Sequence, residues 1–225
     1  TRTLEHGAFQ ELDRGFDFYA PQTMIDPQGR RIMVAWMGLP DIEYPTDPNG
    51  WAHCLTLPRE LTLHEGKLLQ RPIPELTSLR RNSEDRVADT LSSESKTYEG
   101  FKGTAYEMIC EVDLLDAKAF GIEFRASETE KTVIKYNAVS RKLVLDRTQS
   151  GEPVATSYGE VRQCAWDKDH IKLHLFVDTS SVEIFVNDGE EVFTSRIFPH
   201  PESDEIRFFA DKGDALFQAI KWNFT

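Results

Sequence analysis

The sequence predicts an all-β protein, and three observations carry that expectation. Apolar residues alternate with period two through the C-terminal two-thirds of the chain. Strand-sized segments recur every ~8–12 residues between turn signals, as in an antiparallel sandwich. No helical stripe of comparable length competes. The alternation runs through Phe120, Ile122 and Phe124, then Leu143 and Leu145, then Ile171, Leu173, Leu175 and Val177. It continues at Val182, Ile184 and Val186 and ends with Leu216, Ile220, Trp222 and Phe224. Period two places such side chains on one face of a half-buried strand. Turn-prone segments separate the runs: Asp146 to Gly151, Asp178 to Ser181, and Asn187-Asp188-Gly189, whose residues tolerate positive φ in a tight hairpin.

The first 75 residues read differently. Short extended pieces (Phe18 to Met24, Arg31 to Met37, Ala52 to Leu57, Glu60 to Leu63, Lys67 to Gln70) alternate with two β-turn tetrads, Asp26-Pro27-Gln28-Gly29 and Asp47-Pro48-Asn49-Gly50. In each, Asp accepts a local backbone hydrogen bond, Pro presets φ and Gly closes the turn. Short strands with such turns suit a propeller blade without requiring one. Arg71-Pro72-Ile73-Pro74 then interrupts the pattern, because prolines remove backbone donors and restrict their predecessors. The expected division is therefore residues 1–75, part of a propeller, and 76–225, a C-terminal antiparallel sandwich. The polar stretch from Arg80 to Lys96 reads as a connector or a first exposed strand.

Composition narrows the function. The 225 residues carry 26 Lys+Arg against 38 Asp+Glu, a formal net charge of −12. That sign opposes binding to nucleic acid or to an anionic membrane, both of which need clustered cations. The longest mostly apolar run, Ile32 to Pro40, falls far short of the ~20 residues of a membrane span. Cys54, Cys110 and Cys164 are odd in number, widely spaced and without a CxxC pair, so they read as apolar fillers in a reducing, cytoplasmic setting. The segment from Thr1 to Asp13 has neither the basic start nor the apolar stretch of a secretion signal, and Thr1 opens within patterned sequence, as in a piece of a longer chain.

Carboxylates are the abundant catalytic type, and glycoside hydrolysis uses two of them with opposite protonation states. Most of the 38 acids are expected to be solvated. Asp13 and Asp17 stand out, because Asp13-Arg14-Gly15-Phe16-Asp17-Phe18-Tyr19-Ala20 combines charge, a Gly turn and aromatics as sugar sites do; a structural turn is the rival reading. Trp36 and Trp51, flanked by turns, are the tryptophans able to line a sugar platform. His170 and His174 have metal-ligand spacing, yet the alternation there is strand-like with Lys172 between them, so both are expected to be exposed polar positions. Arg59 and Glu60 point to opposite faces of a strand and need not pair. No GxSxG, P-loop or GxGxxG occurs, and no metal or cofactor is expected.

At this level of detail the chain resembles glycoside hydrolase family 32, the invertases, fructanases and bacterial sucrose-6-phosphate hydrolases, with the last group the nearest in likeness. Four ordered motifs carry the resemblance: Asp13-Arg14-Gly15 with Asp17-Phe18-Tyr19-Ala20-Pro21-Gln22; Gly29-Arg30-Arg31-Ile32 through Trp36-Met37-Gly38; Gly50-Trp51-Ala52-His53-Cys54-Leu55-Thr56-Leu57-Pro58-Arg59-Glu60-Leu61; and Asp178 to Gly189 followed by Phe193-Thr194-Ser195-Arg196-Ile197-Phe198-Pro199. The resemblance implies a five-bladed catalytic propeller, of which residues 1–75 would be the last part, followed by the sandwich. It implies retaining hydrolysis of sucrose or sucrose 6-phosphate by an Asp nucleophile, a second Asp and an acid/base Glu, all in motifs that precede Asp-Phe-Tyr-Ala. None of these has a match here, so the chain alone is expected to hold no catalytic residue and no activity. Asp47-Pro48-Asn49-Gly50 imitates the nucleophile motif in the wrong order and reads as a turn, and Glu111 follows Cys110 in the reverse of the acid/base order. Four substrate-binding positions carry over: Asp13 for sugar hydroxyls and Trp36 for apolar stacking, supported by Tyr19 and Gln22. The alternative is a non-catalytic carbohydrate-binding or structural, subunit-contacting sandwich. An incomplete propeller would leave sheet edges and apolar faces uncovered and favour self-association.

Overall fold

The computed structural model describes residues 3, 7–81 and 83–224, and their regular structure is almost entirely β. An N-terminal meander sheet is built from β1 (Tyr19–Ile25), β2 (Arg31–Met37), β4 (Arg59–His64) and β5 (Lys67–Pro72), with the two-residue β3 (Cys54–Leu55) added to the end of β2. Both tetrads are turns, as their composition predicts. Asp26-Pro27-Gln28-Gly29 joins β1 to β2, with the Gly29 N–H donating to Asp26 O at 2.9 Å and Asp26 Oδ1 accepting from the Gln28 and Arg30 amides. Asp47–Asn49 forms one 3₁₀ turn, and Asp47 Oδ2 accepts from the Tyr44 amide at 2.9 Å.

Two six-stranded antiparallel sheets follow and pack face to face. One has the order β12-β11-β10-β9-β16-β7, with β7 (Ser95–Lys96), β9 (Ala119–Ala126), β10 (Lys131–Asn137), β11 (Lys142–Gln149), β12 (Val161–Ala165) and β16 (Glu205–Asp211). The other has the order β15-β14-β13-β8-β17-β6, with β6 (Glu84–Ser92), β8 (Tyr106–Leu114), β13 (His170–Asp178), β14 (Ser181–Val186), β15 (Glu191–Arg196) and β17 (Asp214–Asn223). The polar stretch after Arg80 is thus mostly the edge strand β6. Phe120, Ile122, Phe124, Leu143, Leu145, Ile171, Leu173, Leu175, Val177, Val182, Ile184 and Val186 fill the space between the sheets, as the alternation predicts.

One strand has the opposite phase. In β17 the inward side chains are Ala215, Phe217, Ala219 and Lys221, whereas Leu216, Ile220 and Trp222 are only partly buried on the outer face. Lys221 obscures the pattern: its fully buried ammonium donates to Asn223 Oδ1 at 2.7 Å, Gly100 O at 3.0 Å and Asp85 Oδ2 at 3.3 Å. A charge at an inward position is tolerable only with such partners.

Strands β14 and β15 are buried on both faces. Their outer residues Glu183, Phe185, Val192 and Thr194 are covered by the N-terminal part of the chain. A connector, the 3₁₀ segment Pro74–Leu79, leads from β5 to the sandwich. Beneath it Phe176, Phe185 and Val192 form a second small core with Leu57, Leu76 and Phe224. Arg80, which ends the connector, stacks 3.7 Å over the Trp222 ring and grips Glu107 through both carboxylate oxygens at 2.6 and 2.7 Å, while His174 Nε2 lies 2.6 Å from Glu107 Oε1.

Burial pushes the Glu107 carboxyl pKa up, but the hydrogen bonds from Arg80 and His174 outweigh it and hold the group below the ordinary glutamate value. A carboxylate with a depressed folded pKa contributes stability that is complete above its unfolded pKa, ~4.3, and is lost as pH falls through the folded value. The urea midpoint of Glu107→Gln is therefore expected to lie below that of the parent chain at neutral pH, with the gap narrowing as pH falls below ~4.3. A gap independent of pH would contradict this assignment.

Candidate functional site

The N-terminal sheet has two faces with different neighbours. Met33, Ala35, Met37 and Arg59 lie on the buried face, turned to the sandwich. Directly opposed residues of antiparallel strands share a face. The register pairs Tyr19 with Trp36, Gln22 with Val34 and Met24 with Ile32, so Tyr19, Gln22 and Trp36 stand together on the other face. A bulge between Tyr19 and Gln22, with Ala20 at φ 47°, permits this, because the extra residue resets the alternation. The Tyr19 and Trp36 rings are 5.9 Å apart, and Tyr19 is 50% exposed. Gln22 is exposed and Trp36 half-buried.

Behind Trp36 lies a stack of rings. The His53 ring meets Trp36 edge-on at 4.7 Å and Tyr44 at 4.8 Å, while His53 Nε2 is buried without a hydrogen-bond partner. Gly38 makes room for it, since a Cβ there would fall 2.5 Å from the His53 ring and 2.8 Å from the Trp36 indole nitrogen. Trp51 is exposed beside the Arg196 guanidinium, 5.7 Å from its ring centroid, rather than beside Trp36.

Asp13 lies elsewhere. The segment Arg14 to Phe16 runs along the edge of β15, with the Arg14 amide donating to Val192 O at 2.7 Å and the Phe16 amide to Thr194 O at 2.8 Å. The approach is so close that a Cβ on Gly15 would sit 1.9 Å from Thr194 O, which explains the glycine in Asp-Arg-Gly. Asp13 Oδ1 accepts from the amides of Gly15 and Thr194 at 2.8 and 2.9 Å; Oδ2 accepts from Thr194 Oγ1 at 2.6 Å and Arg59 Nη1 at 3.0 Å. With its side chain 2% exposed and both oxygens engaged by the protein, Asp13 is turned into the junction with the sandwich, not to the face that carries Trp36. The structural-turn reading of this motif accounts for its contacts. Asp17 is likewise fully buried, accepting from Arg147 Nη1 at 3.1 Å and the Arg196 amide at 2.8 Å.

Sequence reasoning passed over the residue at the centre. Arg59 and Glu60 do point apart, and Arg59 enters a closed cluster: Nη2 donates to Glu183 Oε2 and Thr194 Oγ1, both at 2.6 Å, and Nη1 to Asp13 Oδ2 and Gln70 Oε1, both at 3.0 Å. Burial opposes the charge, but Glu183 and Asp13 outweigh it and hold the guanidinium pKa above its usual value. Glu183 also accepts from the Leu57 amide at 2.6 Å. Asp13 and Glu183 are thus two carboxylates on one cation, 2% and 4% exposed, and closed to any substrate. A charged residue between apolar neighbours on a predicted strand, as at Glu183, was the available signal. His170 lies 2.7 Å from Asp113 and His174 against Glu107, and among the described residues no group of three His, Cys, Asp or Glu is arranged to hold a metal.

Both parts of the chain match a class of sugar hydrolases. Residues 1–72 match the model for the glycosyl hydrolases family 32 N-terminal domain and residues 75–223 that for the glycosyl hydrolases family 32 C terminal, so the chain belongs to glycosyl hydrolase family 32. Among curated proteins it is 46% identical to the sucrose-6-phosphate hydrolase of Staphylococcus xylosus, over 98% of this chain and 44% of the relative, and 38% identical to a raffinose invertase of Escherichia coli, over 97% and 45%. Among solved structures, the sucrose-6-phosphate hydrolase from Lactobacillus gasseri superposes with a TM-score of 0.81 at 32% identity, covering 95% of this chain and 42% of that one. The chain therefore spans less than half the length of the relatives it matches.

Replacing Arg59 by Ala would leave two buried carboxylates without their cation. Breaking a buried pair in this way is expected to cost about 3–5 kcal/mol, read as a lowered urea midpoint. A loss below about 1 kcal/mol, the scale of an exposed pair, would contradict the central place given to Arg59.

Proposed function

We propose that this chain is the C-terminal part of a retaining β-fructofuranosidase that hydrolyses sucrose or sucrose 6-phosphate, and that it supplies scaffold and one wall of the sugar cavity. The observation that carries this reading is the placement of Tyr19, Gln22 and Trp36 on one open face of the N-terminal sheet, within the residues that match the family's N-terminal domain. In this reading residues 1–75 are the last part of a propeller and residues 76–225 a supporting sandwich. Trp36 offers an apolar face to the fructosyl ring, Tyr19 and Gln22 offer polar atoms beside it, and Asp13 contributes by fixing the segment that enters β1.

Retaining hydrolysis requires a nucleophile and a general acid set about 5–5.5 Å apart across the scissile bond. Asp13, Asp17 and Glu183 are each consumed by arginine and backbone donors. This supports locating the reacting carboxylates outside the 225 residues, so that the covalent and protonation steps take place on a surface this chain only borders.

The test is a graft. When this chain replaces the matching segment of the Staphylococcus xylosus enzyme, the chimera is expected to hydrolyse sucrose 6-phosphate, while the chain alone turns over neither sucrose nor its 6-phosphate. Trp36→Ala in the chimera is expected to raise KM roughly tenfold, the factor that ~1.4 kcal/mol of lost stacking gives. Turnover by the isolated chain, or an unchanged KM, would contradict the reading.

The same open face, together with Leu55 and Leu63 at 68% and 79% exposure, Met24 and Ile25, leaves apolar surface uncovered. Such a surface favours association, so light scattering of the isolated chain is expected to show a mass rising with concentration. A monomer at all concentrations would count against it.

A further inference from the structure

The sandwich touches the aromatic wall at one further point, the end of β15. The fully buried Arg196 has no carboxylate partner among the described residues. Its guanidinium instead spans backbone from both parts of the chain. Within the sandwich, Nε donates to Ser180 O at 2.9 Å and Nη2 to Ser180 Oγ at 3.3 Å; towards the N-terminal sheet, Nη1 donates to Ala52 O at 3.1 Å and Met37 O at 3.5 Å. Met37 and Ala52 adjoin Trp36 and His53 in sequence, and it is the rings of Trp36 and His53 that meet edge to face.

A second line of contacts starts from the backbone amide of the same residue. The Arg196 amide donates to Asp17 Oδ2 at 2.8 Å, and Asp17 Oδ1 accepts from the Tyr44 hydroxyl at 3.4 Å. Tyr44 Oη in turn accepts from the Leu39 amide at 3.0 Å, and the Tyr44 ring abuts the far side of His53. Burial and the Asp17 charge push the Tyr44 hydroxyl up to about 12, so it stays protonated and able to donate. Trp36 is thereby held through His53 and Met37 by two routes that both end on Arg196.

We propose that Arg196, a sandwich residue, is the positioning residue that sets the orientation of the Trp36 wall, its guanidinium acting through Met37 and Ala52 and its backbone amide through Asp17 and Tyr44. The task requires an arginine: three carbonyls in different directions are met by a rigid planar fork of donors, whereas lysine presents one compact ammonium on a flexible stem. The consequence for substrate rests on the reading of Trp36 as a sugar wall; the positioning role itself does not.

The two are separable by experiment. In the 15N-labelled chain, the indole resonances of Trp36, Trp51, Trp166 and Trp222 are assigned by replacing each with Phe. Arg196→Lys is expected to shift the Trp36 indole signal and leave that of Trp166 in place. Tyr44→Phe, which keeps the ring and removes only the hydroxyl, is expected to shift it less, and the distant Glu107→Gln not at all. Should Arg196→Lys fail to fold, Ser180→Ala decides in its place: it removes only the hydroxyl that accepts from Arg196 Nη2 and is expected to shift the Trp36 signal. An unmoved Trp36 signal in the folded variants overturns the positioning role, whatever the kinetics. In the grafted enzyme, Arg196→Lys is expected to raise KM several-fold without moving the pH profile of kcat, and to add nothing once Trp36 is Ala. A moved indole signal with an unchanged KM in Trp36→Ala supports the positioning role and counts against the sugar-wall reading.

Discussion

A single buried guanidinium organises the junction on which this structure depends. Arg59 sits on the N-terminal sheet, Glu183 and Thr194 on the sandwich, and Asp13 on the segment between them and the solvent. Removing such charges from water carries a large penalty that is repaid only when geometry and hydrogen bonding are complete. Here they are: Asp13 and Glu183 receive backbone as well as arginine donors. The cluster therefore does more to specify one docking of sheet on sandwich than to add net stability, since a slipped arrangement would strand at least one buried charge.

That docking divides the N-terminal sheet by function. One face, with Met33, Ala35 and Met37, is committed to the sandwich, and the opposite face, with Tyr19, Gln22 and Trp36, is left open. Strand alternation makes the division strict, because shifting β2 by one residue would exchange the faces. The Asp-Arg-Gly segment serves the same end. It lies along the edge of β15, its amides capping the Val192 and Thr194 carbonyls and Asp13 the Thr194 amide, and so closes an edge that would otherwise present unpaired backbone groups.

Much of the fold was legible in the sequence for a physical reason: between the sandwich sheets apolar side chains predominate, so period-two runs report burial directly. The reading failed in phase at β17, where the inward Lys221 made the outer row of Leu216, Ile220 and Trp222 look like the core row. It was incomplete at β14 and β15, where the N-terminal sheet covers a second face that alternation marks as exposed. For the candidate site, the register places Tyr19, Gln22 and Trp36 on one face, while Asp13 faces the opposite way. A single chain of letters cannot tell a carboxylate aimed at a ligand from one aimed at an arginine 46 residues later. The contacts that join Arg59 to Asp13, Glu183 and Thr194, Arg147 to Asp17, and Arg196 to Met37 and Ala52 are long-range, and local spacing carries no trace of them.

The central claim is that sheet and sandwich form one cooperative unit through this junction, and native-state hydrogen exchange tests it most directly. Protein-wide opening gives core amides a common protection, whereas separately unfolding parts differ. The account predicts that the β2 amides are protected to the same degree as those of β8 and β13, and that Glu183→Gln lowers the protection of β2 first. If β2 exchanges orders of magnitude faster than β8 in the parent chain and is indifferent to Glu183→Gln, the junction does not hold the two together.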